Sequence, residues 1–333
     1  MDRTRRVILL LTSPRVAPGL LSRQAWRALE GAGAVLARDA GQPLVEALQH
    51  AGVTVEVLGA AAPDELARRL LDRSADQEVV WVGSADADPG LAEALAAELT
   101  RREEAPELEV LVGSWDVPGA RLLDAVAVMD RLRSPGGCPW DAEQTHTSLT
   151  PYLVEEAYEA VESLESGDRE HMAEELGDVL LQVLFHARVA LEHDEDPFDI
   201  DDVAAALVAK LVRRHPHVFA RGERSATTPQ AVEASWEQLK AAEKPHREHV
   251  LDGIPVGMPE LARAAKVASR LERAGRGGWL RGRLDERAHE AGAGATAYGA
   301  AVMDLVLRAR AEDVDLPAAL RALLRDLAAE LEA

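Results

Sequence analysis

Paired acidic residues at helical spacing lie in two neighbouring segments near the middle of the chain. Glu156 and Glu159 are three residues apart, and Glu175 and Asp178 repeat that spacing. Residues three apart project from the same side of a helix. Because the intervening Ser166-Gly167-Asp168 break is short, the two helices are expected to pack antiparallel, so that all four carboxylates meet in one cleft.

Four carboxylates beside apolar helix positions point to a hard divalent cation. Like charges at short range repel and raise one another's pKa values. Mg²⁺ removes that penalty, since it prefers oxygen ligands, water and phosphate oxygens. Gly177 inside the second helix costs about 1 kcal/mol relative to alanine, which a close helix approach or room for a ligand would explain. The alternative is a solvated acidic face, which two helices with the same pattern disfavour.

Basic residues after the acidic segments could hold phosphates. Lys210 and Arg214 are four residues apart, and arginine binds phosphate through two parallel hydrogen bonds. The alternative is a favourable interaction of these cations with a helix C-terminus. Trp236 and Lys240 are also four apart and offer an indole face for a base and an ammonium for a phosphate, or else a core tryptophan beside a surface lysine. Trp140, in the loop before the acidic helices, could cover the cleft.

The elements that carry these residues fall into three regions. Residues 1–118 alternate β-rich runs with amphipathic helices, which favours a small α/β domain with a parallel sheet. Strand signals then almost vanish, so 119–250 and 251–333 are predicted to be helical domains, the last with a Gly/Ala-rich gap. The predicted strands are 7–11, 33–36, 54–58, 79–82 and 108–112. The predicted helices are 20–31, 42–51, 63–73, 88–102, 119–133, 148–166, 168–194, 199–214, 229–243, 259–274, 297–311 and 316–332, with a loop at 135–139.

Composition limits the function classes. A net charge of -21 disfavours a nucleic-acid-binding face or an acidic membrane surface. The single cysteine, Cys138, cannot form an internal disulfide and fits a reducing cytoplasm. The apolar run 7–11 is too short for a signal peptide, and no stretch reaches the roughly 20 apolar residues that span a bilayer. We therefore expect a soluble cytoplasmic protein.

Motifs across 119–250 resemble those of the MazG family of nucleoside triphosphate pyrophosphohydrolases. The matching runs are Gly137-Cys138-Pro139-Trp140-Asp141, Glu155-Glu156-x-x-Glu159, Glu175-x-x-Asp178, Lys210-x-x-Arg213-Arg214-His215-Pro216-His217-Val218-Phe219 and Trp236-x-x-x-Lys240. The resemblance implies an all-α NTP pyrophosphatase bundle that binds Mg²⁺, with Mn²⁺ as a substitute, and forms a homodimer.

The resemblance also implies a role for each matching residue. Glu156, Glu159, Glu175 and Asp178 would be the metal ligands, and Glu155 an outer-sphere group or general base. The phosphates and base would be held by a second set, namely Lys210, Arg213, Arg214, Lys240, Trp236 and Trp140.

The two flanking regions resemble known domains but lack some of the motifs of those domains. The opening of 251–333, with Met258-Pro259-Glu260-Leu261 and Trp279, resembles a second MazG copy. That copy lacks the Glu-Glu-x-x-Glu motif and keeps only Asp304 of the second acid pair, so its metal site is expected to be lost. Residues 14–22 and 32–39 look like the beginning of a tetrapyrrole methylase. The Gly-Pro-Gly-Asp loop of that family is missing, so we predict no methyl transfer.

The sequence thus predicts Mg²⁺-dependent hydrolysis of nucleoside triphosphates to the monophosphate and pyrophosphate, as house-cleaning of the nucleotide pool. The rival interpretation is a non-catalytic module that senses nucleotides or binds a partner protein. Four metal ligands in one set disfavour the rival, since a sensor need not keep them.

Overall fold

The computed structural model describes residues 5–84, 88–219, 228–232, 249–290 and 294–332. The chain divides into two compact units, Met1–Ala206 and Leu207–Ala333.

The first unit begins with a five-stranded sheet in which every neighbouring pair is parallel, in the order β3-β2-β4-β1-β5. The strands are β1 (Arg6–Leu11), β2 (Ala34–Ala37), β3 (Val55–Val57), β4 (Val79–Val82) and β5 (Glu107–Val112). The helices between them are α1 (Arg23–Gly31), α2 (Pro43–His50), α3 (Pro63–Arg73) and α4 (Leu91–Leu99). Each predicted strand is confirmed to within one residue.

Apolar cores cover both faces of this sheet. Val7 and Leu9 pack with α3 and α4, whereas Ile8 and Leu10 pack with α1 and α2. Alternate residues of a strand point to opposite faces, so β1 serves both cores. This double coverage explains why β1 and β4 are continuous apolar runs instead of alternating ones. The predicted small α/β region with a parallel sheet is confirmed.

The second half of the first unit is helical. It contains α5 (Arg121–Arg133), α6 (Pro139–Glu143), α7 (His146–Ser166) and α8 (Arg169–Ala190), followed by α9 (Ile200–Arg214), within which the two units divide. Met129 of α5, Leu149 of α7 and Leu184 and Phe185 of α8 form its core. The expected loop at 135–139 is corrected at its end, because Pro139 is the first residue of α6, a position that suits proline since no N–H partner is needed there.

Local signals position the α7–α8 hairpin. Thr145 caps α7 through a capping box with Ser148, and Gly167 ends α7 in the left-handed conformation with φ 77°, which glycine adopts without a Cβ clash. Asp168 follows at once and caps α8 by accepting from the backbone N–H groups of Glu170 and His171. The expected short turn is therefore confirmed.

Arg133 fixes the segment between α5 and α7. Its side chain is buried and donates to the backbone oxygens of Asp141 and Gln144 and to both carboxylate oxygens of Glu192. Its guanidinium also lies 5.6 Å from the centre of the Phe185 ring. The segment that carries Trp140 is thus tied to the end of α8.

The second unit contains helices that pack through Ala268, Leu271, Leu280, Val306 and Leu307. Besides the end of α9, its described helices are α10 (Pro216–Phe219), Glu260–Arg273, Gly277–Glu290, Ala295–Ala311 and Leu316–Glu332. The expected gap between the helices at 259–274 and 297–311 is wrong, since Gly277–Glu290 is helical. Leu280 and Leu284 bring it into the core, which outweighs the low helix propensity of its glycines.

A parallel sheet followed by a helical region is therefore the architecture of this chain. The domain limits at 118 and 250 and the degenerate second copy stay predictions. Within the described residues, none of the helices has both the length and the apolar content to cross a membrane.

Candidate metal centre

The α7–α8 hairpin brings acidic side chains from both of its helices together. Glu156 of α7 and Glu175 and Asp178 of α8 each offer an oxygen, and these oxygens all lie within 4.8 Å of one another. The helices run antiparallel, because Glu156 lies beside Glu175 and Asp178 while His146, at the start of α7, contacts His186 near the end of α8. Glu156 is thus brought into one compact acidic cluster with Glu175 and Asp178, which follow it by 19 and 22 positions in the sequence.

The electrostatics of this cluster fit a bound cation. Burial raises the pKa of Glu156, and the charges of Asp178, Glu159 and Glu175 raise it further. The closeness of the Glu159 carboxyl group contributes to this raised pKa, so Glu159 lies next to the cluster without being one of its three members. A divalent cation would reverse this repulsion and favour the ionised carboxylates.

Glu175 supplies a second and independent sign of a ligand. Its residue is only 8% exposed, and its Oε2 is buried without a hydrogen-bond partner among the described residues. Its other oxygen, Oε1, lies 2.9 Å from Nε2 of His171. Buried carboxylate oxygens are costly when unpaired. The residues present therefore fit a hard cation such as Mg²⁺, which takes carboxylate oxygens as ligands.

The other predicted site residues are not among these three carboxylates. Glu155 is exposed on α7. Lys210 and Arg213 are exposed and Arg214 is half-buried on the part of α9 that belongs to the second unit. Trp236 and Lys240 lie outside the described residues. The roles of all these residues stay predictions.

Trp140 lies on α6 and not in a loop. Its ring is half-exposed and makes edge contacts with Tyr152 of α7, at a centroid distance of 6.0 Å, and with Phe185 of α8, at 6.4 Å. It therefore packs across the same two helices that carry the acids, toward the end of the hairpin where α7 begins.

Gly177 does not mark a close helix approach. A Cβ added at this position would meet nothing within 4 Å, so that part of the expectation is wrong. Room for a ligand beside Gly177, which is exposed on α8, stays a prediction.

Two residues near the cluster were not anticipated from the sequence. His171 contacts Glu175, and Gln182 of α8 is buried. His171 is four residues before Glu175, so the helical spacing that revealed the acids could have revealed it as well. The burial of Gln182 depends on packing against another helix and had no such signal.

Comparison with known proteins agrees with this geometry. The profile of the MazG nucleotide pyrophosphohydrolase domain matches residues 144–219. An uncharacterized 26.1 kDa protein from the blaB 3′ region of Streptomyces cacaoi is 50% identical over 242 residues, which are 72% of this chain and 94% of that protein. A nucleoside triphosphate pyrophosphohydrolase of Mycolicibacterium smegmatis is 52% identical over 160 residues, 47% of this chain and 48% of the relative. Its counterpart in Escherichia coli K12 is 44% identical over 153 residues, 45% of this chain and 57% of the relative.

The fold and the acidic side chains together define a helical domain whose α7–α8 hairpin carries a carboxylate cluster that could hold a metal ion. The chain belongs to the MazG family, which confirms the resemblance seen in its motifs. It spans about half the length of the two pyrophosphohydrolases, 48% and 57%.

Proposed function

We propose that this chain hydrolyses nucleoside triphosphates to the monophosphate and pyrophosphate, with Mg²⁺ held by the α7–α8 hairpin. The observation that carries the proposal is the convergence of Glu156, Glu175 and Asp178 within 4.8 Å inside the span that matches the MazG domain. The relatives named as nucleoside triphosphate pyrophosphohydrolases support the choice of substrate class.

In this proposal the cluster carboxylates and Glu159 hold the metal. When bound, the cation neutralises charge on the triphosphate and lowers the pKa of water. His171 keeps the Glu175 carboxylate in place through its contact with Oε1, 2.9 Å away. Lys210, Arg213, Arg214 and Lys240 are proposed to hold the phosphates, and Trp236 and Trp140 the base.

The reaction adds one water to the triphosphate. A bond forms between the water oxygen and phosphorus, and the bridge between the α-phosphate and the pyrophosphate breaks. The proton of the attacking water passes to a carboxylate at the edge of the cluster, for which the exposed Glu155 is our candidate. The protein contributes positioning and fixed charge.

The direct test is a pyrophosphate assay with purified protein, Mg²⁺ or Mn²⁺, and a panel of normal and oxidised ribo- and deoxyribonucleoside triphosphates. We expect Glu175→Gln and Asp178→Asn each to lower kcat/KM at least about 100-fold and to leave the helical circular dichroism spectrum unchanged. Glu162→Gln is the matched control, since Glu162 is exposed on α7 outside the cluster. Full activity in either cluster variant would refute the assignment.

The same assay separates the enzyme from the non-catalytic sensor. A sensor would bind nucleotides, measurable by calorimetry, without releasing pyrophosphate from any member of the panel. Activity on oxidised nucleotides above that on normal ones would support the house-cleaning role that we propose.

We further propose that the chain works as a cytoplasmic homodimer. Large apolar side chains are exposed on the hairpin, among them Val154 and Tyr158 of α7 and Leu176 and Val183 of α8. Exposed apolar side chains that share a helix face, as Val154 and Tyr158 do, are typical of an interface, and a second copy of this chain is the occupant that the family resemblance implies.

A further inference from the structure

A polar stripe runs along the face of α8 that packs on α7. Its members follow one another at intervals of four, three, four and four residues, which keeps them on one side of a helix. They are His171, Glu175, Asp178, Gln182 and His186. A helix face buried against its partner is normally apolar, so each polar member requires a reason.

Gln182 faces α7 in the middle of this stripe. One turn before it, Asp178 lies beside Glu156 of α7. One turn after it, Nδ1 of His186 lies 2.8 Å from Nδ1 of His146 at the start of α7. Because its neighbours on both sides touch α7, Gln182 lies on the face of α8 that is turned toward α7. Gln182 is only 4% exposed.

The Gln182 amide lacks the partner that its burial demands. Its Oε1 is buried with no hydrogen-bond partner within the described residues. A buried carbonyl oxygen without a donor is destabilising, whereas an apolar side chain of similar size would carry no such penalty. A buried amide kept at this cost is expected to bind something that the free protein lacks.

The type of group that could bind Gln182 follows from the atom that lacks a partner, which is Oε1. Oε1 accepts hydrogen bonds and therefore needs a donor. Ionised phosphates offer only acceptors, so a triphosphate on the metal cluster cannot satisfy it. The nucleoside half of the same molecule carries donors, in its sugar hydroxyls and in the N–H groups of its base.

The position of Gln182 on the hairpin agrees with a contact to the nucleoside half of the nucleotide. Four residues of helix rise about 6 Å, which places Gln182 one turn beyond Asp178, away from Glu175. The aromatic group of Trp140, Tyr152 and Phe185 lies toward the same end of the hairpin, since Phe185 follows Gln182 on α8. A nucleotide whose phosphates sit on the acids would place its sugar at this level and its base toward the aromatic rings.

We infer that the Gln182 amide binds a hydrogen-bond donor of the nucleoside, a sugar hydroxyl or a base N–H. This inference rests on the proposed function, because it assumes that the phosphates of the same nucleotide bind the acidic cluster. Gln182 then joins the cluster to the aromatic end of the hairpin as one continuous nucleotide site.

The inference is tested by replacing the Gln182 amide with an apolar side chain, because the unpaired amide destabilises the folded protein. Gln182→Met has a similar volume and no hydrogen-bonding group, so we expect the Tm of the full chain to stay equal or rise. We expect its kcat/KM to fall about 10-fold or more with the best substrate. Gln49→Met, at an exposed position of α2, is the matched control and should change neither quantity. A residue needed only for packing would instead lower Tm and activity together, and that result would overturn the inference.

Substrate analogues identify the donor. The wild type and Gln182→Met are compared on a ribonucleotide, its 2′-deoxy and 3′-deoxy forms, and a base analogue that lacks an N–H donor. The analogue that already lacks the relevant donor should lose nothing more from the substitution. Loss of the same factor on every analogue, or equal kcat/KM for both proteins, would refute a nucleoside contact.

Binding measurements keep this inference separate from the proposed function. A triphosphate with a methylene group between the α- and β-phosphates cannot be hydrolysed, and its Kd in Mg²⁺ is measured by calorimetry. Binding to the wild type, weakened about 10-fold or more by Gln182→Met, supports the inference even if no turnover is found. Equal affinity of the two proteins overturns it even if the wild type is a good hydrolase.

Discussion

Two glutamates of the same helical region have pKa values displaced in opposite directions. Burial and neighbouring carboxylates raise the pKa of Glu156, whereas the hydrogen bond from Arg133 lowers that of Glu192. The charged neighbours of Glu156 are other carboxylates, whereas those of Glu192 are cationic side chains. The first arrangement weakens the folded state at neutral pH, and the second strengthens it.

The raised pKa of Glu156 predicts an unusual pH dependence of the metal-free protein. Because the folded state holds this proton more tightly than the unfolded state, its contribution to stability is present below about pH 4.5 and is lost as the pH rises through the raised pKa. The Glu156→Gln substitution should remove this pH-dependent contribution to stability. Urea unfolding from pH 4.5 to 7.5 in EDTA checks it.

Magnesium provides the control for that measurement. Binding should displace the Glu156 proton and reverse the destabilisation at neutral pH, so that Mg²⁺ raises the urea midpoint of the wild type. Parallel pH profiles for the wild type and Glu156→Gln would contradict the prediction.

The lowered pKa of Glu192 predicts the opposite sign. The contribution of the Arg133–Glu192 ion pair to stability is present above about pH 4.5. It is lost as the pH falls through the lowered pKa of Glu192. Arg133→Met also leaves the backbone oxygens of Asp141 and Gln144 without their donor. Since Glu192 is partly exposed, we expect a loss of about 2 kcal/mol, measured by urea unfolding at pH 7.

Arg131→Met is the matched control for Arg133, because Arg131 also donates to loop carbonyls but is exposed. Its substitution should cost less than about 1 kcal/mol. Equal losses for the two variants would contradict the structural role of Arg133.

At the scale of elements, the hairpin was predictable because its signals are local. Gly167 and Asp168 end one helix and begin the next, and the acid spacing needs only helical periodicity. The helix Gly277–Glu290 was missed because its glycines suggest a break, whereas packing of Leu280 and Leu284 in the core of the second unit stabilises it. Gln182 was missed for the same reason, since its burial is decided by α7.

Gly177 provides a prediction about the α8 helix. A Cβ at this position meets nothing within 4 Å, and alanine favours a helix interior over glycine by about 1 kcal/mol. Gly177→Ala should therefore raise the free energy of unfolding by about that amount, as measured by urea denaturation without metal. Exposed Gly282, in the helix Gly277–Glu290, gives a matched substitution in the second unit. A destabilised Gly177→Ala would contradict the open space seen beside this residue, whereas greater stability with weaker nucleotide binding would indicate that substrate occupies it.

At the scale of the whole molecule, a net charge of -21 means that a triphosphate approaches a protein of the same sign. If the proposed function holds, the acidic cluster would accept such a substrate only together with cations, so metal binding would be a condition of substrate binding.

The proposed homodimer provides the prediction at this scale. Val154 and Tyr158 are four residues apart on α7, on the side away from Glu156, and Val154 is 51% exposed. A glutamate there would be buried without a partner in an apolar interface, which is strongly unfavourable. We expect the wild type to sediment as a dimer at micromolar concentration and Val154→Glu as a monomer. Leu331→Glu, at a leucine that is 88% exposed, should remain dimeric. A monomeric wild type, or a dimer that survives Val154→Glu, would show that this face is not the interface.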